Sequence, residues 1–185
     1  MKNDKSNLMR PFGLPQSAST PVVTPLSPSV VYASASPDML DAQYEGGLAG
    51  FTYAREGHPN AHALAKRIDA LEGVDGGLVT GSGMAAVSAA LLGILKTGDH
   101  VVAGDQLYGR SLRLLKEDLP RLGIEVSLCD ATRADNVLAA LRPNTKIILL
   151  EAVSNPTLRV ADIAGVAAAI KGKGIQLVED NTFTT

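Results

Sequence analysis

The small residues between Thr80 and Ala86 could bind a phosphate group. They read Thr-Gly-Ser-Gly-Met-Ala-Ala, and the pattern predicts that they open a helix. The first N–H groups of a helix have no partner within it, and the helix dipole favours an anion at this end. The segment therefore predicts a phosphate-binding turn. A tight turn that needs small residues only for packing explains the same residues equally well.

The same segment matches the dinucleotide-binding pattern G-x-G-x-x-A through Gly81, Gly83 and Ala86. Asp105 lies 22 residues after Gly83, where an acidic side chain could bind a ribose hydroxyl. A NAD-dependent dehydrogenase is thus an alternative hypothesis. A single match of this kind has low specificity, and the hypothesis leaves the polar residues further along the chain unexplained.

Further polar positions follow apolar runs in the rest of the chain. Tyr108 places an aromatic ring where a flat ligand could stack, and Asn155 lies in a polar turn shortly after Glu151. Asp180 follows the last apolar run, and a carboxylate there can hold a proton on the nitrogen of a heterocycle. For an isolated aspartate, the default interpretation is a side chain that caps the following turn.

Alternating apolar runs and helical patterns are the elements that must position these residues. Five short apolar runs are separated by four helical segments, which is typical of an α/β fold with a mostly parallel sheet and helices on both faces. In such sheets, ligands bind at the carboxyl ends of the strands. The predicted strands are residues 78–80, 100–103, 124–128, 146–150 and 175–178; the predicted helices are 83–95, 109–119, 134–141 and 163–170, after a first helix that Asn60 would cap.

Residues 1–59 differ in composition from residues 60–185, and we predict an N-terminal arm followed by the α/β domain. Seven prolines in the arm disfavour long helices and favour extended chain. The arm also carries apolar residues such as Val22, Val30 and Phe51, which a solvated linker would lack. We therefore expect it to lie on another surface, such as that of a partner subunit.

The overall composition argues against several classes of protein. Hydrophobic residues make up 45% of the chain and charged residues 19%, which is typical of a globular protein. The net charge of -2 gives no basic surplus for binding nucleic acid or an anionic membrane. No apolar stretch has the length of a signal peptide or a membrane span, so we expect a cytoplasmic protein. His58 and His62 lie on either side of Pro59, and we expect no metal site there.

Taken together, the motifs resemble those of the Cys/Met-metabolism (trans-sulfuration) family of pyridoxal-phosphate enzymes. This family contains cystathionine γ-synthase, cystathionine lyases, methionine γ-lyase and O-acylhomoserine sulfhydrylases. The motifs occur in family order, and together they are far more specific than any one of them. They are Tyr53–Arg55, Gly81–Ala86, Gly98–Val102, Tyr108–Gly109, Glu151 with residues 154–158, and Asp180–Phe183.

The resemblance implies part of the large domain of a fold-type I enzyme, with pyridoxal 5'-phosphate bound at the strand ends. By similarity, the N–H groups of Gly83 and Met84 bind the cofactor phosphate, and Ser82 shapes that turn. Tyr108 is expected to stack on the pyridine ring and to take part in proton transfer. Asp180 is expected to pair with the pyridine nitrogen.

The resemblance also implies a partner subunit and a class of substrate. Asn155 is expected to contact the 3'-oxygen side of the cofactor or the substrate carboxylate. Tyr53 and Arg55 are expected to reach into a neighbouring subunit's site, where arginine can bind phosphate with two parallel hydrogen bonds. The expected assembly is a homo-oligomer, either a dimer or a tetramer. The expected reaction is elimination or replacement at Cγ or Cβ of a sulfur amino acid or an activated homoserine.

The sequence departs from the family pattern in three places. Family members carry their cofactor-binding lysine a short way past the Asp-Asn-Thr motif, and no lysine follows Asp180 here. We therefore expect the 185-residue chain alone to be inactive, and a non-catalytic truncated homologue is a third hypothesis. Residues 57–60 read Gly-His-Pro-Asn in place of the usual Asn-Pro-Thr, and Arg110 occupies a variable position. These two differences leave the substrate open.

Overall fold

The computed structural model describes residues 17–184, which form two compact units that divide in sequence between Val79 and Thr80. Residues 1–16 of the predicted arm, and Thr185, lie outside the described residues. The predicted boundary at residue 59 falls inside the first unit, at the start of its second helix.

Two prolines of the first unit open helices, so this unit is not extended throughout. Helix α1 spans Pro37–Tyr44 and follows Ser36, whose side chain caps it. Helix α2 spans Pro59–Glu72. Proline is favoured at the first helical position because its φ is already helical and its missing N–H is not needed there. The prediction that Asn60 caps α2 is therefore wrong, since the cap is His58.

The second unit contains a four-stranded parallel sheet with the strand order β2-β1-β3-β4. This confirms the predicted α/β fold. The strands are β1 His100–Gly104, β2 Glu125–Cys129, β3 Thr145–Glu151 and β4 Gln176–Asp180; the helices are α3 Gly83–Leu92, α4 Gly109–Arg113, α5 Leu119–Arg121, α6 Ala134–Ala139 and α7 Ile163–Ile170.

Helices cover both faces of this sheet, as the unbroken apolar runs predicted. Alternate residues of a strand point to opposite faces, so a strand buried on both sides is apolar throughout. On one face, Val101 of β1 packs in a cluster with Leu91 of α3 and Leu119 of α5. On the other face, Val102 packs with Val137 of α6 and Val166 of α7.

The strand predicted at residues 78–80 is wrong. These residues form neither helix nor strand, and the side chain of Leu78 is 92% exposed. A strand is stabilised by hydrogen bonds to a neighbour, and no ladder among the described residues includes this segment. An apolar run is therefore insufficient to predict a strand where a partner strand is lacking.

The predicted helix at residues 109–119 is interrupted and extends further than expected. A π-helical segment, Leu114–Asp118, joins α4 to α5, and the N–H of Leu119 donates to the carbonyl of Leu114. The helical run ends at Arg121, directly after Pro120, so it closes two residues beyond the predicted end at Leu119. Helix α3 ends at Leu92, earlier than the predicted residue 95.

The order of strands fixes where a ligand site is expected. The chain passes from β1 to β2 on one side of β1, and then returns to place β3 on its other side. In open parallel sheets, the connections after two such neighbouring strands diverge and leave a crevice at their carboxyl ends. The residues that follow β1 and β3 therefore flank this crevice. We call this border of the sheet the carboxyl edge and the opposite border the amino edge.

Candidate active site

The N-terminus of α3 has hydrogen-bond donors available for an anion. Ser82 caps the helix, because its Oγ accepts from the N–H of Ala85 at 3.1 Å. The N–H groups of Gly83 and Met84 have no acceptor among the described residues. A side chain added at Gly81 or Gly83 would project into open space, so a ligand can approach the backbone closely. These features fit a phosphate group.

Asp180 is the last residue of β4, and only one of its two carboxylate oxygens accepts hydrogen bonds from the described residues. Its Oδ1 accepts from the N–H of Thr182 at 3.1 Å and from the hydroxyl of the same residue at 2.5 Å. Its Oδ2 has no hydrogen-bond donor among the described residues. The turn-capping role and a ligand-binding role are therefore compatible, since each uses a different oxygen.

The structure brings these two groups to one groove. The groove has a volume of about 250 Å³ and lies between the first turns of α3 and the end of β4. Gly83, Ala86 and Ala90 line one side, and Val178 and Asp180 line the other. A ligand in this groove can therefore meet helix N–H groups at one end and a carboxylate at the other.

Tyr108 lies beside the helix that carries these donors. It directly precedes α4, and its side chain is 43% exposed, so its ring is free to contact a ligand. Ser111, in the next turn, donates from its Oγ to the Sδ of Met84 at 3.8 Å. This contact keeps the start of α4 next to the start of α3.

Glu151 is a buried carboxyl group next to several of the predicted site residues. It is 7% exposed, pairs in register with Asp180, and accepts from the N–H of Asn155 at 3.3 Å. Burial raises the pKa of Glu151; the Asn155 N–H opposes the rise, the charge of Asp180 adds to it, and the Tyr108 N–H opposes it. Glu151 thus links the loop after β1 to the loop after β3.

The side chain of Asn155 is exposed at the tip of the turn that follows β3. Its peptide bond to Pro156 is cis. Leu158, in the same turn, donates from its N–H to the carbonyl of Ser154 at 2.8 Å. The structure therefore presents Asn155 at the carboxyl edge, although Asn155 does not line the groove between α3 and β4.

Arg159 and Asp130 belong to the carboxyl edge and were missed by the sequence analysis. The Nη2 of Arg159 lies 2.5 Å from Oδ1 of Asp130, and its Nη1 lies 3.7 Å from Oδ1 of Asp105. Asp130 directly follows β2, so its place after an apolar run was a signal that could have identified it. Nothing in the local pattern around Arg159 indicates its two partners.

Tyr53 and Arg55 lie in the first unit and contact each other. Tyr53 forms an isolated antiparallel bridge with Val31, which holds this part of the arm in extended conformation. The guanidinium carbon of Arg55 lies 4.7 Å from the centroid of the Tyr53 ring, and its Nε lies 3.4 Å from the carboxylate of Glu56. The Arg55 side chain is 76% exposed, so a ligand can reach its guanidinium group.

The structure provides little support for a dinucleotide site. Such a site requires a strand directly before the glycine turn, and residues 78–80 form none. Asp105, which would bind the ribose, has its carboxylate directed to Arg159. No cluster of three or more potential metal ligands occurs within residues 17–184, and no helix in that range is long and apolar enough to cross a membrane.

Comparisons with known proteins identify relatives. Cystathionine beta-lyase MetC of Staphylococcus haemolyticus is 40% identical over 161 residues, covering 84% of this chain and 41% of that protein. L-methionine gamma-lyase of Porphyromonas gingivalis is 34% identical over 165 residues, covering 89% of this chain and 41% of that protein. The crystal structure of metB from Corynebacterium glutamicum matches with a TM-score of 0.82 at 36% identity, covering 92% of this chain and 43% of that one.

The match extends over nearly the whole chain, although the chain spans only about two fifths of these relatives' length. The model of the family described as Cys/Met metabolism PLP-dependent enzyme covers residues 13–185. The parallel sheet and its helices match the large domain of solved members. The chain therefore belongs to the Cys/Met metabolism family of pyridoxal-phosphate-dependent enzymes.

Proposed function

We propose that the complete protein uses pyridoxal phosphate to catalyse elimination or replacement at Cγ or Cβ of a sulfur amino acid or an activated homoserine. The relatives named cystathionine beta-lyase and L-methionine gamma-lyase support this class of substrate. The observation that carries the proposal is the single groove lined by both Gly83 and Asp180. A cytoplasmic location is part of the same proposal.

Each end of the groove has a distinct binding task. The N–H groups of Gly83 and Met84 bind the phosphate, where the dipole of α3 favours negative charge. The Oδ2 of Asp180, which has no donor among the described residues, would accept a hydrogen bond from the protonated pyridine nitrogen. The ring of Tyr108 stacks on the cofactor, and the side chain of Asn155 contacts its 3'-oxygen side or the substrate carboxylate.

Asp180 matters most for the chemistry because it determines where one proton resides. When bound, pyridoxal phosphate supplies an electron sink for the electrons released as a bond at the substrate Cα breaks. A carboxylate beside the pyridine nitrogen favours the protonated ring that accepts these electrons. If the pairing raises the pKa of that nitrogen by about 3 units, the stabilisation is about 4 kcal/mol.

We further propose that Tyr53 and Arg55 complete the site of a neighbouring subunit in a dimer or tetramer. The Arg55 side chain is 76% exposed and rests on the Tyr53 ring. Its guanidinium group is therefore available to bind a phosphate in another subunit. Mixing an Arg55→Ala protein with an Asp180→Ala protein tests this. If sites are shared between two subunits, re-association restores about a quarter of the sites, whereas unshared sites give no recovery.

The experiment that tests the proposal is a titration of the complete apoprotein with pyridoxal phosphate. We expect a visible absorption band that is lost irreversibly on reduction with borohydride. Titration with NADH, followed by nucleotide fluorescence, is the matched control for the alternative dehydrogenase hypothesis and is expected to give no change. A complete protein that stays colourless with added cofactor contradicts the proposal.

Substrate choice requires a separate measurement. Arg110 is exposed in the first turn of α4, two residues after Tyr108, at a position that varies among family members. We expect Arg110→Ala to change the ratio of kcat/KM between cystathionine and methionine. The control is Arg121→Ala, because Arg121 is an exposed arginine at the far end of the same helical run.

A further inference from the structure

The loop between β3 and α7 has a compact turn with Asn155 at its tip. The N–H of Ser154 donates to the carbonyl of Arg159 at 2.9 Å, and the N–H of Arg159 donates to the Oγ of Ser154 at 2.9 Å. Val153 and Val160 form an antiparallel bridge on either side of this turn. The backbone of Arg159 therefore closes the turn that presents Asn155.

The side chain of Arg159 joins this turn to the ends of the two neighbouring strands. Its Nη2 lies 2.5 Å from Oδ1 of Asp130, which follows β2. Its Nη1 lies 3.7 Å from Oδ1 of Asp105, which follows β1. A guanidinium group is planar, permanently charged and able to donate in several directions, so one side chain can serve both carboxylates.

The Asp130 carboxylate and the Asp105 backbone are held by contacts that do not involve Arg159. The Oδ1 of Asp130 accepts from the N–H of Thr132 at 2.9 Å and from its hydroxyl at 2.7 Å. These bonds lower the pKa of Asp130, and Arg159 lowers it further. The N–H of Asp105 donates to the carbonyl of Cys129 at 2.8 Å. The Asp130 carboxylate and the main chain of Asp105 thus have fixed positions to which Arg159 can bind.

A second contact connects the same turn to the loop that carries Tyr108. The Oγ1 of Thr157 donates to the Oε1 of Gln106 at 3.0 Å. Gln106 and Tyr108 belong to the short loop between β1 and α4. Movement of the Asn155 turn would therefore also move the segment on which Tyr108 is carried.

We propose that Arg159 is a positioning residue that sets the Asn155 turn and the Tyr108 loop in place for the cofactor. This inference rests on the proposed function. Arg159 contacts neither cofactor nor substrate in this scheme and acts through Asp130 and Asp105. An ordinary surface ion pair contributes little to stability. Arg159 differs from such a pair because it joins the loops that follow three strands.

The test compares Arg159→Gln with Arg133→Gln in the complete protein. Arg133 makes a single ion pair with Asp135, and its side chain is 71% exposed, so it is the matched control. We expect Arg159→Gln to weaken pyridoxal-phosphate binding about tenfold, within the range for residues coupled in one ion-pair network. In Arg159→Gln, we also expect a shift in the pH dependence of the absorption band of the bound cofactor. A loss of stability alone would not cause this shift. Arg133→Gln should bind within about twofold of the unmodified protein.

A double-mutant cycle identifies the partner through which Arg159 acts. Asp130→Asn should weaken binding in the same direction, and the double variant should bind no more weakly than Arg159→Gln alone. Full additivity of the two effects would overturn the proposal. Should Arg159→Gln fail to fold, Arg159→Lys takes its place, because lysine keeps the charge but not the planar fork. A folded lysine variant with unchanged affinity and unchanged pH dependence would also overturn it.

Hydrogen exchange of the apoprotein separates this inference from the proposed function. The N–H groups of Leu158 and Arg159, which close the turn, should exchange faster in Arg159→Gln than in Arg133→Gln. This result is expected even if the protein binds no pyridoxal phosphate, in which case only the proposed function fails. Equal exchange in the two variants refutes the positioning role.

Discussion

The two edges of the parallel sheet contain polar groups of opposite character. At the amino edge, the fully buried His100 uses both ring nitrogens, with Nδ1 2.8 Å from the Oγ1 of Thr145 and Nε2 2.9 Å from the Oγ of Ser127. The side chain of Arg142 also donates to Ser127, at 3.2 Å. Both ring nitrogens of His100 therefore have a hydrogen-bond partner.

At the carboxyl edge, several polar groups can still form a hydrogen bond. The N–H groups of Gly83 and Met84, and the Oδ2 of Asp180, have no partner among the described residues. A satisfied buried cluster stabilises one conformation, whereas unsatisfied groups at a groove can bind a ligand. Polar residues at the two ends of the strands therefore differ in hydrogen bonding: those at the amino edge are paired with each other, and those at the carboxyl edge are available to a ligand.

The largest expected effect is at the carboxyl edge. Asp180→Asn should lower kcat/KM about a thousandfold, because about 4 kcal/mol of stabilisation of the protonated pyridine is lost. The unfolding free energy should change little, since the amide oxygen can still accept from Thr182. Steady-state kinetics and urea unfolding of the complete protein measure the two quantities. Asp135→Asn, in an exposed position on α6, is the control; equal losses in both variants would contradict the comparison.

The second effect is at the amino edge and reverses this pattern. His100→Ala should lower the unfolding free energy by about 2–4 kcal/mol, because it leaves a cavity and removes one hydrogen-bond partner from each of two hydroxyl groups. Binding of pyridoxal phosphate should remain within about twofold, measured well below the unfolding midpoint. A large loss of affinity with unchanged stability would show that the two edges are not separate in function.

A pH titration sharpens the same contrast. Burial lowers the pKa of His100 below 6.5, the charge of Arg142 lowers it further, and the charge of Glu125 opposes this. The folded state therefore resists protonation that the unfolded state accepts. Its stability should fall as the pH drops below 6.5 toward the folded pKa, with a slope of at most about 1.4 kcal/mol per pH unit. In urea unfolding, the stability of His100→Gln should lack this dependence on pH, because glutamine does not titrate. An unchanged slope of stability against pH would contradict the prediction.

The smallest effect concerns Glu151. Because its pKa is raised, its contribution to stability changes with pH in the opposite direction to that of His100. Its contribution to stability is present below 4.5 and is lost as the pH rises through the folded pKa, because ionising a buried carboxyl group is costly. Glu151→Gln should therefore raise the unfolding free energy at pH 8 and change it little at pH 4. Chemical denaturation at pH 4 and pH 8 checks this, and a gain at pH 4 as large as that at pH 8 would oppose it.

The two central strands, β1 and β3, could be predicted because they are buried on both faces. The runs at residues 101–103 and 147–150 are apolar without interruption, and both lie in strands. Helix α7 was predicted with its observed bounds, Ile163–Ile170, since its apolar residues follow Asp162, whose side chain caps the helix. Residues 78–80 carry a similar apolar signal, yet they form no strand. Local pattern reports the tendency to be buried, but hydrogen-bonding partners decide whether a strand forms.

The candidate site residues were found because they belong to motifs. The motifs that contain Gly83, Tyr108, Asn155 and Asp180, together with the others, occur in an order that resembles the Cys/Met-metabolism family, and this resemblance indicated the family. The Arg159 contacts were not predictable, since they join residues 29 and 54 positions apart along the chain to one guanidinium group. Such pairs depend on the strand order β2-β1-β3, and no local pattern encodes that order.

The amino-acid sequence was sufficient to indicate the family and the α/β class, and it named candidate groups for binding phosphate and a ring nitrogen. These follow from residue type, local helix and strand periodicity, and motif order, all of which are properties of short segments. The three-dimensional structure was needed to show that Gly83 and Asp180 line one groove, that Oδ2 of Asp180 has no donor among residues 17–184, and that both ring nitrogens of His100 are paired. Those properties depend on distances between segments far apart in the chain, which packing of the sheet and its helices sets.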